Sequence, residues 1–245
     1  MNKILIIGAT SAQAQATARL FAADGARLFL AGSNQQKLED VAADLEARGA
    51  ASVDSMVIDL NEFERHQELI DAADASLGGL EAALIAHGTL GDQAAGQADY
   101  AVAEKELKTN LLSAISLLTI LANMLEARGV GCLAVISSVA GDRGRKSNYI
   151  YGTAKGGLSI FLSGLRNRLQ SSGVNVVTIK PGFVDSPMTT AFDKGFLWAQ
   201  PKDIAKIIHS AMLKGKDVVY APGFWRVIMF IIKALPEWLF KRLSL

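Results

Sequence analysis

At 245 residues, half of them apolar, a fifth charged and with a formal net charge of +1, the chain is long enough to bury a central sheet on both faces. The near-neutral balance excludes a general attraction to nucleic acid, and the absence of low-complexity runs or repeats excludes a disordered or solenoid chain. The single cysteine, Cys132, excludes an internal disulfide and fits a reducing, cytoplasmic compartment.

Short apolar, β-branched runs at Lys3–Ile7, Arg27–Leu30, Ser52–Ile58, Ala82–Ala86, Cys132–Ile136, Val174–Ile179 and Val218–Tyr220 read as strands. Helical patterns lie between them, near 12–23, 34–48, 61–77, 99–127, 149–171 and 201–214. Turn signals such as Asp24-Gly25, Gly78-Gly79, Arg128-Gly129 and Ser172-Gly173 close most of the helices. Strand and helix in strict alternation predict an α/β fold: one doubly wound, Rossmann-type parallel sheet of about seven strands, with helices on both faces. Residues 1–223 form this unit, and 224–245 is an apolar C-terminal segment. Ligands of such a sheet bind beyond the carboxyl ends of the strands, which makes the residues following each strand the ones to inspect.

The first strand, too short for a signal-peptide core, runs into Gly8-Ala-Thr-Ser-Ala12-Gln-Ala14, which opens a helix. A helix N-terminus offers free N–H groups and a positive dipole end to a pyrophosphate; Gly8 permits the tight turn, and Thr10 and Ser11 add hydroxyls. The second strand ends at Gly32-Ser33-Asn34 without the acidic residue that would bind a ribose 2′-hydroxyl. Gly32 and Ser33 leave room and donors for a 2′-phosphate, so NADP(H) is preferred over NAD(H). Asp59, after the third strand, is either a cofactor contact or the N-cap of the helix expected from Asn61.

Tyr151-Gly-Thr-Ala-Lys155 places a phenol and an ammonium on one helical face. The ammonium favours phenolate, which is expected to lower the phenol's pKa and make Tyr151 a usable proton donor to a reduced carbonyl. Ser138, at the end of the fifth strand and 13 residues before Tyr151, is positioned to stabilise charge on a substrate oxygen; Ser137 is the weaker candidate. Cys132 sits in an apolar run and reads as a core residue, and no metal site is expected.

In order, spacing and strand-end placement, these motifs resemble the short-chain dehydrogenase/reductase family from residue 3 to about residue 190. The resemblance implies hydride transfer between a nicotinamide cofactor and a carbonyl, with Ser138, Tyr151, Lys155 and Asn110 as the catalytic set. Asn110 matches an asparagine that holds a water beside the lysine, and Lys155 would also hold the cofactor's ribose. Asp59 matches an adenine contact. Lys180-Pro181-Gly182-Phe-Val184-Asp-Ser186-Pro-Met188 resembles the stretch bordering the nicotinamide, with Val184 and Ser186 near the carboxamide. Two departures stand out. Ala12 and Ala14 replace glycines of the Gly-x-x-x-Gly-x-Gly turn, and Leu84-Ile-Ala86-His87-Gly88 replaces Asn-Asn-Ala-Gly, with His87 read as loop-supporting.

Three stretches, Gly88–Asp92, Ser138–Lys146 and Val219–Leu245, resemble a subgroup that reduces a 2-keto-ribose carried on decaprenyl phosphate, a step of cell-wall arabinan synthesis. That resemblance implies a lipid-linked sugar substrate and a partner flavin oxidase supplying the ketone; the wider family implies a homo-oligomer. Arg143, Arg145 and Lys146 are candidates to hold a phosphate. The apolar C-terminal segment, carrying Trp, Lys and Arg, reads as a peripheral membrane contact or as a helix packed on the domain or a second subunit. Reduction of another hydrophobic ketone, of ketoacyl, steroid or retinoid type, uses the same residues. A non-catalytic regulatory protein that kept the fold is the reading Ala12 and Ala14 support.

Overall fold

The computed structural model describes residues 1–190 and 192–243. The last two residues of the apolar C-terminal segment, 244 and 245, lie outside them. Seven strands form one parallel sheet in the order β3-β2-β1-β4-β5-β6-β7. They are β1 (Lys3–Ile7), β2 (Arg27–Gly32), β3 (Ser52–Val57), β4 (Ala82–Ile85), β5 (Gly131–Ile136), β6 (Val174–Pro181) and β7 (Val218–Ala221). The Rossmann-type sheet expected from the alternating pattern is the one observed.

Alternation of side chains along each strand divides the core in two. Leu5, Ile7, Leu133 and Val135 face α3 (His66–Leu77), α6 (Ser113–Arg128) and α7 (Tyr149–Leu169). Ile4, Ile6, Cys132 and Ala134 face α1 (Ala12–Ala23), α2 (Gln35–Ala47) and α8 (Pro201–Leu213). Because both faces are covered, β1, β4 and β5 read as unbroken apolar runs, whereas the edge strand β3 carries Ser and Asp. The chain winds outward from β1 to β3 and returns to place β4 on the other side of β1. The resulting crevice at the carboxyl ends of β1 and β4 is where such sheets bind ligands.

The helix expected over 99–127 is observed as a continuous run, Tyr100–Arg128, with a π-helical turn inside it. α5 (Tyr100–Leu107) and α6 are joined by a π-helical turn, Lys108–Leu112, and a short α4 (Gln93–Ala98) precedes them. Among the described residues, the run Tyr100–Arg128 is the helix long and apolar enough to cross a membrane. Its Leu117, Leu118, Leu121 and Leu125 are instead fully buried against the sheet, as in the core helix of a water-soluble fold.

The C-terminal segment forms α9 (Trp225–Ala234) and α10 (Glu237–Phe240). Trp225 and Met229 are buried against Val139, so one stripe of α9 packs on the chain's own domain. The opposite stripe, Val227, Phe230 and Ile231, is exposed.

Candidate active site

At the carboxyl end of β1 the chain turns at Gly8, whose φ of +76° favours glycine. A Cβ there would also lie 2.6 Å from the backbone N of His87, so the β1 and β4 ends touch through this glycine. Ser11 caps α1 by accepting from the Ala14 N–H at 3.3 Å. Thr10, Ser11, Ala12 and Gln13 line a cavity at the carboxyl ends of the strands, and Gln13 Oε1 is buried without a partner. Ala14 points away from the cavity into the core, where its methyl is fully buried. The departure from glycine at position 14 is therefore absorbed by packing; the one at position 12 faces the ligand space.

Ser33 and Asp59 sit exposed at the ends of β2 and β3, outside the lining of this cavity. Asp59 Oδ1 accepts from the Asn61 N–H at 2.9 Å and closes a local turn. It does not cap a helix from Asn61, because α3 begins only at His66, after a 3-10 turn over Phe63–Arg65.

Tyr151 and Lys155 lie in the first two turns of α7, with the Lys155 Nζ 5.8 Å from the Tyr151 ring centre. The Lys155 Nζ donates to Ile136 O at 3.1 Å, which ties the lysine to the end of β5. Burial governs Tyr151: its pKa is pushed up to about 12, with the Ser138 hydrogen bond acting against the shift and the Glu106 charge adding to it. This corrects the expected depression, and it leaves the phenol protonated at neutral pH, the form a proton donor needs. Burial also lowers Lys155 to about 8, opposed by the charge of Glu106.

The two serines separate clearly. Ser137 is buried and turned into α7, donating to Lys155 O at 3.0 Å and lying 2.9 Å from Ser159 Oγ. Ser138 lines the cavity, and its Oγ accepts from the Ala140 N–H at 3.1 Å. The spacing between this loop and α7 is set by backbone contact: a Cβ on Gly141 would lie 2.6 Å from Gly156 N.

Asn110 sits on the π-helical turn, a distortion that re-aims side chains and recurs at functional sites. Its Oδ1 accepts from the Thr89 N–H at 3.1 Å, and its Nδ2 donates to Glu106 Oε1 at 3.3 Å. Gly88 borders both groups: a Cβ on it would lie 2.4 Å from Asn110 Oδ1 and 3.3 Å from Lys155 Nζ. Glu106 is the residue sequence reasoning missed. It is buried, with its carboxyl raised above the usual range by desolvation. Its only sequence signal is a charge one helical turn before Asn110.

His87 is half-buried at the cavity wall, its Nε2 lies 3.0 Å from Ser113 Oγ, and desolvation lowers its pKa to about 3. It is neutral at physiological pH, ties its loop to α6 through Ser113 and also lines the cavity. Burial raises Cys132 to about 12, which leaves an inert thiol in the core.

The cavity holds about 340 Å³ and takes in Asn110, Ser138, Tyr151 and Lys155. Pro181, Val184 and Ser186 border it from the segment after β6. Its far wall is aromatic and apolar: Phe183 stacks on Trp198 at 5.4 Å and meets Trp225 of α9 edge-on at 5.1 Å, with Met188 and Phe192 beside them. Arg143 does not face this space. It donates to Ile232 O at 2.6 Å and Leu235 O at 2.7 Å, pairs with Glu237 at 2.8 Å and lies 3.7 Å from the Phe240 ring centre. The expectation that Arg143 binds a phosphate is therefore replaced by a structural role, pinning α9 and α10. Arg145, two residues on, does line the cavity.

Residues 2–195 match the family model described as short chain dehydrogenase. An uncharacterized oxidoreductase of Mycobacterium tuberculosis is 37% identical over 240 residues, covering 98% of this chain and 96% of that protein. One from Streptomyces coelicolor is 36% identical over 243 residues, covering 99% and 96%. Among solved structures, levodione reductase superposes with a TM-score of 0.84 at 20% identity, over 92% of this chain and 98% of that one. A short-chain type dehydrogenase/reductase from Mycobacterium ulcerans gives 0.79 at 20% identity, over 95% and 96%. At that identity the two structures speak for the fold alone.

Proposed function

Because the chain belongs to the short-chain dehydrogenase family, we propose that it is an NADP(H)-dependent reductase converting a ketone to an alcohol in the cavity around Tyr151. The observation that carries this reading is the convergence of Asn110, Ser138, Tyr151 and Lys155 with the N-terminus of α1 around one space.

A dinucleotide fits the residues present. The α1 N-terminus offers its free amides, Gln13 Oε1 is an orphaned buried acceptor, and Gly88 keeps clear the space before Asn110 and Lys155. Thr10, Ser11 and Ala12 would border the pyrophosphate, Ser33 with the exposed Lys37 the 2′-phosphate, and Asp59 the adenine. Gly88 and Lys155 would hold the ribose, and Pro181, Val184 and Ser186 the nicotinamide. When bound, that cofactor supplies the hydride. Ser138 Oγ hydrogen-bonds the carbonyl oxygen, Tyr151 donates its phenolic proton to that oxygen, and the Lys155 ammonium stabilises the phenolate left behind. Asn110 orders the groups behind Lys155.

The substrate we favour is a 2-keto sugar on a polyprenyl phosphate, supplied by a flavin oxidase partner. The apolar wall of Phe183, Met188 and Phe192 suits a lipid carrier, and the exposed stripe of α9 suits peripheral membrane contact. The same wall equally favours a small hydrophobic ketone. Exposed Ile160 beside Phe161 and Leu165 on α7 supports a homo-oligomer paired through α6 and α7.

Trp198 lines the cavity, so its fluorescence reports binding. Titration is expected to give tight NADPH and weak NADH binding, followed by oxidation of NADPH in the presence of a keto sugar on a lipid phosphate. Turnover of hydrophobic ketones alone would select the second reading. Binding of neither cofactor would overturn both and leave a regulatory protein.

A further inference from the structure

Arg145 is a cation without a counter-ion inside the cavity. It lies between β5 and α7, on the loop that also carries Ser138, and it is half-buried. Among the described residues it forms no salt bridge, and its Nε is buried with no hydrogen-bond partner. A guanidinium stays charged at any physiological pH, and a charge removed from water without a partner is costly. The carboxylate that acts on it, Asp142, is already committed: it pairs with Lys180 and accepts the Tyr220 hydroxyl at 2.7 Å. Asn148 shares the cavity lining, and its Oδ1 too is buried without a partner. Because the two ends of an amide exchange by a half-turn, Asn148 can present a donor to the same space.

Arg143, on the same loop, provides the contrast. Both terminal NH2 groups of its guanidinium are bonded to the segment of α9 and α10, and the group lies over the Phe240 ring, so a structural role for an arginine here has a recognisable form, and Arg145 lacks it. The remaining cavity wall, from Phe183 to Trp198, is lined by apolar and aromatic side chains with the hydroxyls of Ser186 and Thr189, and no lining residue there is an anion. A fixed, planar fork of N–H donors facing ligand space matches one chemistry, the oxygens of a phosphate or carboxylate.

We propose that Arg145, with Asn148, forms an anion subsite that holds a phosphate or carboxylate group of the substrate while its carbonyl lies at Ser138 and Tyr151. The inference rests on the reading of this cavity as a carbonyl-substrate site, and it narrows that reading to ketones carrying an anionic group. Both the lipid-linked sugar phosphate and a small acidic ketone meet the condition; an uncharged steroid-type ketone does not.

The test is binding measured by calorimetry, independent of any turnover. The probes are dihydroxyacetone phosphate, 2-oxoglutarate and uncharged dihydroxyacetone, against the wild-type chain, Arg145→Met and Arg145→Lys. The wild-type chain is expected to bind at least one anionic probe about tenfold or more tighter than dihydroxyacetone, the gain of a charge-assisted pair. Preference for the phosphate ester assigns the subsite to phosphates, and preference for 2-oxoglutarate assigns it to carboxylates. Arg145→Met should erase the preference, and Arg145→Lys, which keeps the charge but not the fork, should retain part of it. Thermal melts of both variants establish that they are folded. Equal binding of charged and uncharged probes by the wild-type chain, or an anion preference unchanged in Arg145→Met, overturns the proposal. Anion binding that depends on Arg145 in a chain that oxidises no NADPH would instead sink the reductase reading and leave the subsite standing.

Discussion

Glu106 and Asn110, one helical turn apart across the π-helical turn, are joined by a 3.3 Å hydrogen bond from the Asn110 amide to the Glu106 carboxyl. The carboxyl fills the space beside Gly91, where a Cβ would lie 1.2 Å from Glu106 Oε2. Burial works against ionisation of both Glu106 and Lys155, and each group's charge supports the other. Removing the carboxylate therefore lowers the Lys155 pKa below its present value of about 8. In Glu106→Gln, the loss of kcat/KM on the alkaline side should begin at lower pH than in the wild-type enzyme, with the shape of the acid side kept. An unchanged alkaline limb would show that Glu106 only fills space.

Tyr151→Phe deletes the proposed proton donor and little volume. Turnover should fall by roughly two to four orders of magnitude while NADPH affinity, read from Trp fluorescence, is kept. A variant retaining most of its rate removes Tyr151 from the chemistry.

The two serines offer a sharper comparison. Ser138→Ala removes a hydroxyl facing the cavity and should cost about 10²-fold in kcat with little change in Tm. Ser137→Ala removes a buried hydroxyl bound to Lys155 O and should lower stability by roughly 1 kcal/mol while leaving most of the rate. The reverse pattern in kinetics and thermal melts would exchange their assignments.

Most of this arrangement was legible because strands buried on both faces advertise themselves as apolar runs, and because Ser138, Tyr151 and Lys155 are fixed by short spacings along the chain. What was not legible depends on contacts distant in sequence. Nothing in the 99–127 helical pattern marks a π turn, which coincides with the bonds Asn110 makes to Thr89 and Glu106. The roles of Arg143 and Arg145, alike as text, are separated only by α9 and α10, which arrive some 90 residues later along the chain. The upward shift of Tyr151 escaped for the same reason: desolvation belongs to the assembled cavity, whereas the i, i+4 lysine is visible in the sequence.

Arg143→Ala should release the C-terminal helices. It removes bonds to the main-chain carbonyls of Ile232, Lys233 and Leu235 and the pair with Glu237, of which the bonds to Ile232 and Leu235 are partly shielded from water. A stability loss of about 1–3 kcal/mol is expected, with faster amide exchange confined to α9 and α10. Uniform exchange across the chain, or none gained in α9, would remove the pinning role.

Two desolvated histidines, buried His66 and half-buried His87, make the fold acid-sensitive. His87 has a folded pKa near 3 because burial disfavours its charged form, and burial lowers His66 as well. In the unfolded chain both revert to about 6.5, so below that pH the unfolded state binds more protons than the folded one. The stability these neutral rings contribute is complete above about pH 6.5 and is lost as pH falls toward the folded pKa values. For His87 the slope approaches about 1.4 kcal/mol per pH unit. Melting curves between pH 7 and 5, above the range where most carboxylates titrate, should show Tm falling with acid. In His87→Asn that fall should be shallower, whatever the variant's stability at pH 7. Parallel curves for the two proteins would mean that His87 is protonated without cost, contrary to the desolvation that lowers its pKa.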